Sequence, residues 1–178
     1  MNTRSAIHLA GRLFVLLALL CLGKSVASAH EIPKPCDFVT GGGFVLTNTG
    51  QHANFGLVAG CKHHAFWGNI NFIDHGTKMH LNAHDVLSYT TIIGQALRRD
   101  FCGYATVGGK KVGYHVVVID NGEPGRNDKF GLSLSNGYFL KTRLLKGGNI
   151  QLHKPNPSTT PPAHFTECNK FAPNPTAG

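Results

Sequence analysis

Acidic residues are scarce in this sequence. Nine Asp and Glu stand against seventeen Lys and Arg, a formal charge of +8. Charged residues make up only 15% of the chain and hydrophobic residues 42%, so a packed core is within reach and wholesale disorder is excluded. No C-x-x-C occurs, which removes the usual frame of a thioredoxin-type or zinc-ribbon site. G-x-S-x-G, the P-loop and H-E-x-x-H are also missing, so no familiar hydrolase, nucleotide-binding or zincin signature is present. Glycine is plentiful at 22 residues, but without a G-x-y period, so the chain is not collagenous.

What is present begins with a targeting pattern. Arg4 and Arg12 flank an uncharged apolar run at 13–22, LFVLLALLCL. That run has the length of a signal-peptide core and is too short to span a bilayer. Ala27-Ser28-Ala29 supplies a small-x-small cleavage site, so 1–29 reads as a signal peptide and His30 as the mature amino terminus. Cys21 does not fit lipidation, because Leu20 stands where a small residue is wanted. Cleavage removes Arg4, Arg12 and Lys24 and no acid, leaving 14 basic and nine acidic residues, a net +5 over 149 residues. The expected location is secreted or periplasmic, with no transmembrane helix in the mature form.

Four cysteines remain: Cys36, Cys61, Cys102 and Cys168. An even number in an exported chain reads as two disulfides. Three pairings are possible, and the favoured one joins Cys61 to Cys102 and Cys36 to Cys168.

The mature pattern is β. Residues 78–86 alternate, with Met79, Leu81 and Ala83 on one face and Lys78, His80, Asn82 and His84 on the other, the period of a half-buried strand. Further apolar stretches fall at 44–46, 54–59, 67–74, 101–107, 112–120, 129–135, 138–145 and 148–153. Gly108-Gly109 and Asn136-Gly137 sit between pairs of them as hairpin turns. Only 87–97 has room for a short helix, and Thr90, Thr91, Ile92 and Ile93 argue against it because β-branched side chains lose χ1 freedom there. The expected fold is all-β, an antiparallel β-sandwich or partly closed barrel of about eight or nine strands, stapled by disulfides. Its divisions are an amino-terminal arm at 30–39, a β domain at 40–153 and a Pro-rich tail or linker at 154–178.

Gly41-Gly42-Gly43-Phe44, then Asn54-Phe55-Gly56, then 68–76 (GNINFIDHG), 118–130 (VIDNGEPGRNDKF) and 147–153 (GGNIQLH) occur in that order. Together they resemble the post-COAP (post-choice-of-anchor) domains of secreted and surface-attached bacterial proteins, over about residues 40–153. The resemblance implies an all-β extracellular module and brings no catalytic residues with it.

The candidate sites are few. Asp120 and Asp128 bound the acid- and amide-rich loop DNGEPGRND, a possible calcium site. The spacing does not match an EF-hand, and Asn121-Gly122 with Pro124-Gly125 at the centre of a type II turn gives a turn-only reading. Ten histidines remain after cleavage. His30, His75, His80 and His84 are the candidate ligands for copper or zinc. His30 is the sharpest of them, because a terminal histidine offers its amine and its ring together. His80 and His84 lie roughly 13 Å apart along a regular strand, too far to share an ion. Arg98-Arg99, Lys110-Lys111 and Lys141, Arg143 and Lys146 read as solvated basic clusters that attract anionic polymers. Asp74-His75, His84-Asp85 and Ser88 make too loose a pattern for a triad, and nucleic-acid binding lacks a motif. The expected function is an exported, non-catalytic β-sandwich module that binds or structures a partner at the cell surface or in the periplasm. That partner is an anionic cell-surface polymer or another surface protein. The alternative is a copper- or zinc-binding exported protein built on His30.

Overall fold

The computed structural model describes residues 29–176. Most of the proposed signal segment, including Arg4, Arg12 and Cys21, lies outside the described residues. The strands are β1 (His30–Glu31), β2 (Phe38–Leu46), β3 (His52–Lys62), β4 (Ala65–Asp74), β5 (Met79–Ala83), β6 (Ser88–Ile92), β7 (Arg98–Val107), β8 (Lys110–Ile119), β9 (Lys129–Leu134), β10 (Phe139–Leu144) and β11 (Gly147–His153). One antiparallel path of nine strands runs β10-β9-β8-β7-β5-β4-β3-β2-β11. The remaining two attach at its side: β6 pairs with the first half of β7, and β1 pairs with β6. The sheet curls into a half-barrel, the partly closed form of the two expected. Phe55 on β3 and Phe130 on β9 are far apart in the strand order. Their rings nevertheless stack with centroids 4.3 Å apart, so the sheet has folded over onto itself. Among the described residues no helix is long and apolar enough to cross a membrane.

Alternation builds the core. In β3 every second side chain from Ala53 to Ala59 is buried, and Ile70 with Phe72, Leu81 with Ala83, and Leu132 with Leu134 continue that inner face. Burying one such side chain is worth about 1.5–3 kcal/mol relative to exposure. Gly108 and Gly109, with φ of 55° and 76°, make the two-residue turn between β7 and β8. Asn136-Gly137 lies among the four residues between β9 and β10, in a turn closed by Gly137 N–H to Leu134 O. The β-branched run at 90–92 does form a strand, β6.

Several expectations shift. Gly41-Gly42-Gly43 lies inside β2 rather than before a strand. Gly43 faces Gly148 on β11, whose φ is +102°, and a Cβ on either would collide with the other's backbone. The triplet therefore serves close strand approach. His63 and His64 are turn residues, with φ of 49° and 62°, in the tight β3–β4 hairpin. Arg98 and Arg99 are buried, each 6% exposed, rather than solvated. The disulfides are Cys36–Cys61 and Cys102–Cys168, not Cys61–Cys102 and Cys36–Cys168. Cys36 lies just before β2, which pairs with β3 so that Phe38 meets Gly60, and this brings Cys36 to Cys61. Cys102 points to the sheet's other face, where the tail arrives with Cys168.

That tail is not a free linker. Ser158 O and Thr160 O accept the His63 and His64 N–H groups at 2.9 and 3.0 Å, and Thr142 N–H donates to Pro175 O at 2.9 Å. Ser133 Oγ bonds Pro173 O. Phe171 lies so close to Gly113 that a Cβ there would strike its carbonyl. The sheet thus has two kinds of outer face: β7–β9 lie under the tail, and β2–β5 with β11 stay open.

Candidate functional site

The alternation that sends Phe101 into the core sends Arg98, Asp100 and Cys102 to the covered outer face of β7. Asp100 is fully buried. Arg98 grips it with two parallel bonds, from Nε to Oδ1 and, at 2.8 Å, from Nη2 to Oδ2. His115 on β8 approaches Oδ2 with Nε2 at 3.1 Å. A carboxylate only accepts, so His115 Nε2 is the donor to Asp100. Nδ1 is buried and has no hydrogen-bond partner among the described residues. His30 on β1 closes the group from above: Nε2 is 3.5 Å from Asp100 Oδ2 and Nδ1 is 3.2 Å from Glu167 Oε2. The 3.5 Å contact is an ion pair rather than a hydrogen bond.

The electrostatics follow. Burial pushes the Asp100 carboxyl up, but the hydrogen bonds from Arg98 and His115, with the His30 ring close by, outweigh it and hold the group well below the usual carboxylate range. Asp100 raises the His30 pKa above 6.5, burial opposes it, and Glu167 adds to the rise. Beside the cluster lies a cavity of about 360 Å³ lined by Ala29, His30, His115, Glu167, Asn169 and Asn174. Glu167 is presented there because its neighbour Cys168 is tied to Cys102, two residues from Asp100.

The chain matches no protein-family model, no curated protein and no solved structure.

The other candidates do not join this group. His75 Nε2 meets Asn54 Oδ1 at 2.8 Å, and His80 Nε2 meets Asn71 Nδ2 at 2.9 Å. His84 is exposed just beyond β5. Among the described residues no three His, Cys, Asp or Glu side chains are grouped to hold a metal ion. Asp120 and Asp128 spend their oxygens on backbone N–H groups. Gly122 and Leu152 donate to Asp120 at 2.9 and 2.8 Å; Asn121 and Ile150 donate to Asp128, both at 2.8 Å. The turn there is Gly122 to Gly125, with Pro124 third rather than second and its peptide bond cis, so the expected type II form is not adopted. His75 is bonded to Asn54 rather than to Asp74, whose oxygens take Gly76, Thr77 and Tyr138. Sequence reasoning reached His30 but missed Asp100, Arg98, His115 and Glu167. The one available signal was a lone acid at 100 inside an otherwise strand-like run.

A second buried ion pair closes one end of the half-barrel. Arg99 forks onto Asp37, and Tyr89 Oη donates to Asp37 Oδ1 at 2.7 Å. Burial, and then the Asp37 charge, push the Tyr89 phenol far above its ordinary range.

Proposed function

We propose that this chain is an exported, non-catalytic β module, of the post-COAP kind, that binds an anionic polymer at the cell surface or in the periplasm through its open outer face. One observation carries the reading. The five strands β2, β3, β4, β5 and β11 contain a single carboxylate, Asp74, and it is buried at 2% exposure. Their outward side chains include the amides Asn54, Asn69, Asn71 and Gln151, the imidazoles His52 and His80, the Trp67 ring and one cation, Lys62, beside the apolar Val58 and Ile73. A surface without fixed negative charge accepts a polyanion without repulsion, and its amides and imidazole rings offer it hydrogen bonds. Retention on an immobilised polyuronate should fall with added salt. The double variant His52→Ala, His80→Ala should weaken that retention. Retention indifferent to ionic strength sinks the reading.

A second reading, an exported metal-binding protein using His30, is favoured by one specific observation. The structure sets the His30 ring against the Glu167 carboxylate at the mouth of a cavity that a second imidazole, His115, also lines.

A further inference from the structure

We infer that the His30 ring, the Glu167 carboxylate and the amine freed by cleavage after Ala29 form a copper(II) site at the mouth of the 360 Å³ cavity. The inference rests on the second reading above and names the donors for it. His30 Nδ1 and Glu167 Oε2 are 3.2 Å apart. Two donors at that separation can both lie about 2 Å from one ion at near a right angle, the spacing that imidazole and carboxylate ligands need. The third donor is not a side chain. Cleavage after Ala29 turns the His30 peptide nitrogen into an amine, which closes a small chelate ring with Nδ1 of the same residue. No grouping of side chains alone reveals such a site, because one of its donors exists only in the processed chain.

The surroundings have the form of a prepared site. A metal-binding imidazole commonly presents its other ring nitrogen to a carboxylate, which orients the ring. Asp100 takes that place beneath His30 Nε2, and Arg98 neutralises Asp100. His115 is held by the same oxygen and lines the same cavity, with a buried, unpartnered Nδ1. Asp100 and His115 are therefore positioning and neighbouring groups, not ligands in this assignment. Glu167 is delivered by the Cys102–Cys168 bridge, so the site depends on oxidation of the tail cysteines. A mixed nitrogen and oxygen donor set favours copper(II) over other first-row divalent ions. Binding releases the proton from Nδ1 and one from the ammonium, and the ion takes their place between amine, ring and carboxylate.

The test uses exported protein beginning at His30, titrated with copper(II) by calorimetry and read by electron paramagnetic resonance. The expected result is one ion per chain, with nitrogen hyperfine structure. Protein retaining Ala29 and the whole segment before it has a peptide nitrogen in place of the His30 amine, so it should lose the site. Glu167→Gln should weaken binding about 10–100-fold, the range for groups that complete or orient a metal site. His84→Ala should leave it unchanged. The Ala29-retaining protein and Glu167→Gln are checked by thermal melting, and either of them, folded and binding as the parent does, overturns the assignment. Copper bound equally by the Ala29-retaining protein and by Glu167→Gln places the ion on the scattered histidines. The site then fails while the metal-binding reading survives. No stoichiometric copper on the native terminus sinks both.

Discussion

Asp100 shows how one residue organises a surface that local sequence presents as ordinary. A carboxylate with no solvent exposure is tolerated only when its oxygens are filled, and Arg98, His115 and His30 fill them. The pH dependence has two limbs. Asp100 titrates lower in the folded chain than free, so its contribution is present above about pH 4 and is lost as pH falls toward its folded value. His30 titrates higher than free, so its contribution is complete below about pH 6.5 and is lost as pH rises through its folded value. The groups facing His30 are Asp100 and Arg98 of β7, His115 of β8 and Glu167 of the tail. Melting temperature should therefore decline on the alkaline side, and His30→Gln should remove that decline while leaving the acid limb. Equal alkaline slopes in parent and variant would refute the assignment. The arginine pair shows what sequence could not reveal here. Arg98-Arg99 next to Asp100 reads as a polar surface triplet. Neighbours in a strand point to opposite faces, and here both faces are covered, one by the barrel interior and Asp37, the other by Asp100 beneath β1 and the tail. Burial on both sides is a property of distant chain segments, so no local pattern announces it.

At the scale of elements, turns and alternation were readable and edges were not. Gly108-Gly109 and the period of two in β5 depend on adjacent residues alone, and they appear where the pattern put them. The glycine triplet was misplaced because its reason lies across the sheet: β11 and β3 flank β2 closely, and the residues that crowd it are about a hundred positions away. The loop at 120–128 mixes both kinds of information. Its turns come from its own residues, but its acids reach β11, where Asp128 accepts the Ile150 N–H and Asp120 the Leu152 N–H. Asp128 is fully buried, so Asp128→Ala leaves the Ile150 N–H without an acceptor. Losing hydrogen bonds to a charged group costs about 1.5–3 kcal/mol each, so this change should cost about 3 kcal/mol or more. Chemical denaturation measures it, and a loss below about 1 kcal/mol would contradict the buried double acceptor. With the acids occupied in this way, EDTA should leave the melting temperature of the parent unchanged. A large drop restored by calcium would show that the loop holds an ion instead.

Across the whole molecule, the two disulfides divide the work of closure. Cys36–Cys61 pins the entry to β2 against β3, which the β2–β3 ladder already holds at nine register positions. Cys102–Cys168 pins the tail to β7, where a short 3-10 turn at Cys168–Lys170, the packing of Phe171 against Gly113 and Tyr104 and single hydrogen bonds are the other attachments. Chain-entropy reasoning gives about 3 kcal/mol for a loop of 25 residues and about 4 kcal/mol for one of 66. The functional difference is larger than that gap. Without the longer bridge, only these non-covalent contacts hold the tail over β7–β9, where Asp100 and His115 lie beneath it. The double variant Cys102→Ala, Cys168→Ala should thus lose about 2–5 kcal/mol and, more tellingly, lose it unevenly. Hydrogen exchange should quicken at Thr142, whose N–H is held by Pro175 O, while amides in the β3–β4 ladder keep their protection up to global unfolding. The Cys36→Ala, Cys61→Ala variant should leave Thr142 protected. Unchanged protection at Thr142 in the first variant would show that the tail docks by its own contacts, and that the bridge contributes only to the unfolded state.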